Sequence, residues 1–115
     1  MKKITFLLSM LISLSSLGQV IITEIADPNN AAGARFVELH NLGDNQVDLT
    51  GYYLQRWTNG NTDPSTNTIS LDNTIIQANG FIIIAADADE FQTVFSMTAD
   101  VDGGFGGPAD SNGDD

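Results

Sequence analysis

Arg35-Phe-Val-Glu-Leu-His-Asn-Leu-Gly-Asp-Asn-Gln-Val-Asp-Leu-Thr-Gly-Tyr-Tyr-Leu-Gln-Arg56 reads as a strand, a polar turn, a short apolar hook and a second strand. In the first strand Val37 and Leu39 point one way, and Phe36, Glu38 and His40 the other. Asn41 to Gln46 gathers turn-forming residues between the apolar runs. Val47 and Leu49 share a face with Asp48 opposite, and alternation resumes after Gly51 through Tyr52 and Leu54. The stretch specifies sheet and carries little chemistry.

Working outward, Val20 to Ala26 is a further apolar strand, and Asp27 to Gly33 is a loop broken by Pro28 and two asparagines. Gly51 to Trp57 is a strand, Thr58 to Thr66 a polar loop, and Thr68 to Leu71 a short strand. Ile75-Ile76 leads through Asn79-Gly80 into Phe81 to Ala86, a continuous apolar run of the kind covered on both faces. Short strands at intervals of about ten residues with turns between them predict an all-β sandwich or barrel. After Asp87 the pattern changes. Asp87 can cap a short helix with Phe91, Val94 and Phe95 on one face, and Ala99 to Asp115 reads as a loop-rich acidic tail.

The N-terminus predicts export. Lys2 and Lys3 precede an apolar, serine-containing run from Ile4 to Leu17, and Ser16-Leu-Gly18 offers small residues for a signal peptidase. The run is short for a span of about 30 Å of hydrocarbon, so residues 1–18 read as a signal peptide and 19–115 as the mature domain, secreted or at the cell surface. Cleavage removes both lysines and leaves Arg35 and Arg56 against 15 acidic residues. Such a balance argues against nucleic-acid binding and against anionic membranes. The chain has no cysteine, so stability falls on the core, a cation or a partner.

Ile22-Thr-Glu-Ile25, Phe36-Val-Glu-Leu-His-Asn41, Val47-Asp-Leu-Thr-Gly-Tyr-Tyr-Leu54, Ala78-Asn-Gly-Phe-Ile-Ile-Ile-Ala85 and the closing Asn112-Gly-Asp-Asp115 occur in the order seen in another group of proteins. Together they resemble the lamin tail domain, in particular its bacterial secreted branch, over Val20 to Asp115. The resemblance implies an immunoglobulin-like β-sandwich without catalytic activity, used for binding, attachment or targeting. His40 stands where the family usually has tyrosine. The strands that the family places after Asn-Gly-Asp-Asp have no counterpart, so the expected sandwich is truncated at its C-terminal end and belongs to a longer exported chain.

Glu24 and Glu38 could approach one another as an acid–base pair, but a structural role suits strand residues of a non-catalytic family. His40 is the sole histidine and reads as an exposed strand residue; with no cysteine and no nucleophile elbow, neither a usual zinc site nor a serine triad can be assembled. Tyr53 and Trp57, with Asn59 and Asn61, form a candidate surface for a sugar or peptide, while Tyr52 is expected to be buried. Trp57 serves equally as a core residue. Asp110, Asn112, Asp114 and Asp115 resemble part of a calcium loop, the alternative being a turn whose aspartates bond local amides. No other cofactor is implied. The function expected is a secreted, non-catalytic attachment module taking a protein, cell-surface or polysaccharide ligand. The alternative is an accessory domain of an exported hydrolase or nuclease.

Overall fold

The computed structural model describes residues 19–29 and 31–112. The signal-peptide segment lies outside the described residues, as do Asp114 and Asp115. Eight strands are present among the described residues: β1 (Val20–Ala26), β2 (Phe36–Asn41), β3 (Val47–Asp48), β4 (Tyr53–Leu54), β5 (Ile69–Ser70), β6 (Ile75–Ile76), β7 (Phe81–Ala85) and β8 (Val101–Asp102). A 3-10 turn, Ala32–Ala34, precedes β2, and one helix, α1 (Ala88–Phe95), follows β7.

One layer is a sheet in the order β1-β2-β7-β8. Its first three strands are antiparallel, whereas β8 runs parallel to β7. The facing layer consists of two short ladders, β3 with β6 and β4 with β5. The alternation read in β2 holds. Val37 and Leu39, with Ile82 and Ile84 of β7, form the inner face, and Leu49, Ile69, Leu71 and Ile76 close over them from the facing layer. Ala109 completes this core. Phe36 and Ala85 point to the other side, where Phe91 covers them in a second, smaller core.

Helix α1 forms as its sequence predicts. Asp87 has an extended backbone and its Oδ1 accepts from the Glu90 amide at 2.9 Å, satisfying one of the open donors of the first turn. Asp89 and Glu90 lie in that turn, where negative charge suits the helix dipole. Ser96 ends the helix in the left-handed region at φ 56°. Phe91 is buried and meets the edge of Phe36 at 5.3 Å between ring centres; Phe95 adds a second edge contact at 5.6 Å.

Several expectations change. The segment Ala99 to Asp115, read as a loop-rich tail, contributes β8, and its Ala109 is fully buried. A two-residue strand has too few residues to show periodicity. Gly103 permits the approach of this segment: its amide donates to the Ala85 carbonyl at 2.7 Å, and a Cβ there would stand 2.9 Å from the same oxygen. Phe81 to Ala86 is not covered on both faces throughout, because Phe81 is exposed while Ile82 and Ile84 are buried. The strand expected from Gly51 to Trp57 shrinks to Tyr53–Leu54. Tyr52, expected in the core, is 58% exposed, because only two residues of that run are laddered and the alternation assumed from Gly51 does not persist.

The turn after β2 is held by Asn41, which is fully buried. Its Nδ2 donates to the carbonyls of Asn45 (2.8 Å), Gln77 (3.0 Å) and Ile76 (3.3 Å), and its Oδ1 accepts from the Gly43 amide (2.9 Å). One side chain thereby fastens the β2–β3 turn to the end of β6, and no polar atom of it is wasted. Asp48 ends β3 in a similar local manner. Its Oδ1 accepts from the amide and hydroxyl of Thr50, which turns the chain away from the ladder.

Candidate functional site

The inner face of the large sheet is covered over β2 and β7 but not over β1. In the β1–β2 ladder Ile22 is opposite Leu39 and Ile25 opposite Val37, so both isoleucines face the core side. They share that face although three residues apart, because a bulge between Ile22 and Glu24 resets the alternation. Ile22 nevertheless keeps 51% of its surface exposed and Ile25 52%. The facing layer stops at β4, one strand short of them.

The resulting seam runs between β1 and β4 and contains two open cavities. One, of about 260 Å³, is bounded by Ile21 and Ile22 on one side and by Tyr52, Tyr53 and Leu54 on the other. The second, of about 270 Å³, lies between Ile22 and Ile25 on one side and Leu54, Arg56 and Trp57 on the other. Ile22 and Leu54 border both, so the two cavities form one continuous groove. Each long wall is a strand with an edge that takes no ladder partner among the described residues: β1 pairs only with β2, and β4 only with β5.

Two of the four proposed ligand residues, Tyr53 and Trp57, therefore reach the groove. Asn59 and Asn61 do not line it. Asn59 and Gly60 both have positive φ, and the Asn61 amide donates to the Thr58 carbonyl at 3.0 Å, so these residues build a tight turn. Alternation marks Ile22, Ile25 and Leu54 as core residues, and only the width of the opposite layer reveals that the core ends before them.

Arg56, which borders the second cavity, belongs to an arginine knot at Asp110. Arg35 donates from Nε to Asp27 Oδ1 and from Nη1 to Asp110 Oδ1, both at 2.8 Å. The hydrogen bonds with Asp27 and then Asp110 raise the guanidinium pKa above its already high ordinary value, so it stays charged. Arg56 donates from Nη1 to the Asp110 carbonyl, and the Gly106 amide donates to Asp110 Oδ2 at 2.9 Å. Asp110, a proposed calcium ligand, thus stands between two cations with each carboxylate oxygen holding a donor. Asn112 is exposed. The other tail carboxylates also meet local amides: Asp100 Oδ2 accepts from Ile83 and Asp102 Oδ1 from Gly104. Among the described residues no group of three His, Cys, Asp or Glu side chains is placed to hold a metal ion.

Glu24 and Glu38 are cross-strand partners on the outer face, and Glu38 Oε1 accepts from the Thr23 hydroxyl at 2.7 Å. They are brought together on the outer face, and neither lines the groove. His40 stacks on Phe81 with ring centres 3.9 Å apart, on the same outer face.

A two-layer β structure closed around the core strands β2 and β7, with catalytic groupings absent from its groove, has the architecture of an immunoglobulin-like β-sandwich. Comparison with protein-family models matches the lamin tail domain over residues 13–114. The chain belongs to the lamin tail domain family, whose members are non-catalytic immunoglobulin-like modules. Comparison with curated proteins and with solved structures returned no match.

Proposed function

We propose that the chain is an exported, non-catalytic attachment module that holds a larger exported protein to a protein, cell-surface or polysaccharide ligand through the exposed aromatic residues Tyr53 and Trp57. The observation that carries this reading is the exposure of Tyr53 and Trp57, at 59% and 47%. Exposed aromatic surface at Tyr52, Tyr53 and Trp57 is surface whose burial by a partner is favourable. Aromatic side chains add large contact area at small entropic cost. Export rests on Lys2, Lys3 and the apolar run to Leu17. The non-catalytic part of the reading is supported by the family and by the placement of Glu24, Glu38 and His40 on the outer face, away from the groove. Calcium at Asp110 forms no part of it, because Arg35 and Gly106 already engage its carboxylate.

The test is retention. The full chain, fused at its C-terminus to a fluorescent reporter and expressed in the source organism, is expected to be processed near Gly18 and to stay with the washed cell surface. Trp57→Ser is expected to release most of the reporter into the medium. Equal release of both forms would overturn the attachment reading, and an unprocessed reporter inside the cells would overturn export.

A further inference from the structure

Two Asn-Gly pairs lie wholly within the described residues, Asn59-Gly60 and Asn79-Gly80, together with one Asp-Gly pair, Asp102-Gly103. Asn112-Gly113 lies partly outside them. In such a pair the glycine nitrogen can attack the side-chain carbonyl carbon of the residue before it, because glycine has no side chain to crowd the approach. The attack needs a free nitrogen. An N–H held in a hydrogen bond keeps its proton and its position until the bond opens.

The fold ties up two of these three glycines. The Gly80 amide donates to the Gln77 carbonyl at 2.9 Å, and the Gly103 amide to the Ala85 carbonyl at 2.7 Å. Asn79 is fixed as well, since its own amide donates to the Gly43 carbonyl at 3.0 Å. Asn59-Gly60 differs by its place in the turn. The Asn61 amide closes that turn on the Thr58 carbonyl, so Asn59 and Gly60 are its central residues, with φ 51° and 70°. Only the fourth residue of a β-turn donates across it. Gly80 is the fourth residue of its turn and is bonded; Gly60 is the third, and its N–H points away. Among the described residues no hydrogen bond holds the Gly60 amide or the Asn59 side chain. Both residues are exposed. A Cβ on Gly60 would meet nothing within 4 Å, whereas one on Gly80 would stand 2.9 Å from the Gln77 carbonyl oxygen. Asn59 therefore has room to swing its side chain onto the Gly60 nitrogen.

We propose that Asn59 is a site of spontaneous modification, converting to aspartate and isoaspartate through a cyclic imide with Gly60. The Gly60 nitrogen gives its proton to hydroxide or a buffer base and bonds to Asn59 Cγ. The Cγ–Nδ2 bond breaks, and Nδ2 leaves as ammonia. Water then opens the ring. Attack at Cγ restores the backbone and leaves aspartate. Attack at the backbone carbonyl carbon leaves the chain running through Cγ, which is isoaspartate. Water is the only co-reactant. Either product adds a negative charge to a chain that already carries −11, two residues from Trp57. Isoaspartate also lengthens the backbone inside the turn that the Asn61 amide closes.

The experiment holds the full-length chain in warm, mildly alkaline buffer, samples it over days and digests it with chymotrypsin. Cleavage after Trp57, Leu71 and Phe81 puts Asn59 and Asn79 on separate peptides. Mass spectrometry reads the gain of about 1 Da per event, and enzymatic methylation of isoaspartate reads the rearranged product. In the native chain Asn59 is expected to convert at least tenfold faster than Asn79, whose turn must first open. In concentrated urea both turns are lost, and the two rates are expected to converge. Gly60→Ala crowds the attacking nitrogen at an exposed position and is expected to slow Asn59 several-fold. An unchanged Asn79 rate in that variant reports an intact fold. Native Asn79 converting as fast as Asn59, a difference that persists undiminished in urea, or an Asn59 rate indifferent to Gly60→Ala would overturn the proposal. So would a native Asn59 that stays intact while the chain in urea converts. The attachment reading is untouched by any of these results, since it is tested by surface retention.

Discussion

Ile84 of β7 and Ile25 of β1 rise from the same face of one sheet, yet the first is wholly buried and the second leaves 52% of its surface in water. The difference does not lie in the residues. It lies in the opposite layer, where β3–β6 and β4–β5 roof β2 and β7 but stop short of β1. The inner face of β2 and β7 is therefore covered, while Ile22 and Ile25 of β1 are only half buried. Burial of an apolar side chain yields about 25 cal/mol per Å² removed from water, so the covered face carries most of the folding free energy.

Substitutions can sharpen or break this contrast. Ile84→Ala should have the largest effect, about 3–4 kcal/mol of lost stability, because it removes buried methyl groups and leaves a cavity. Ile25→Ala should cost less than about 1 kcal/mol, in line with half-exposed positions. Urea denaturation of the two variants measures the difference directly. Equal losses would show that β1 is roofed as well as β7 in solution, and the seam would lose its meaning.

Asn41→Ala comes next, at about 2–3 kcal/mol. It removes a fully buried amide and leaves the Asn45, Gln77 and Ile76 carbonyls without that donor. The loss should appear as a lower urea midpoint, with the β2–β3 turn exchanging its amides faster. A loss confined to a few tenths of a kcal/mol would mean that water replaces the side chain easily, as at an exposed turn.

The smallest effect concerns Asp48, on the exposed turn. The Thr50 hydroxyl, and then the Thr50 amide, hold its pKa below the ordinary carboxylate value. A folded pKa below the unfolded one adds stability that is present above the unfolded value, about 3.9, and is lost as pH falls through the folded one. The gap in urea midpoint between the parent and Asp48→Asn should thus be constant above about pH 5 and close as the pH drops below about 4. A gap independent of pH down to about pH 2 would break this assignment.

Much of the scaffold is legible in local pattern. Val37 and Leu39 alternate with Phe36, and the structure sends the first pair to one core and Phe36 to the other. Asp87 and the spacing of Phe91 and Phe95 announce the helix. The site is much less legible. Ile22 and Ile25 look like ordinary core residues, since exposure on an inward face depends on how wide the facing layer is. Tyr52 misleads because alternation is a rule of laddered strands, and β4 is laddered over only two residues. Strand β8 and the docking of Ala109 are set by contacts to Ala85 and Ile69 that no local signal in a glycine- and aspartate-rich stretch encodes.

The knot at Asp110 has a consequence in time. Its hydrogen bonds to Arg35 and Arg56 span 75 and 54 residues. Contacts so distant along the chain close the longest loops, and local pairings such as the β3–β6 ladder close shorter ones. We expect the segment from Gly103 to Ser111 to dock late, so that Asp110→Ala speeds unfolding more than it slows folding in urea-jump kinetics. Interactions made after the transition state restrain unfolding while leaving the rate of folding almost unchanged. On that expectation Asp110 is a latch, lengthening the life of the folded domain more than it hastens its arrival.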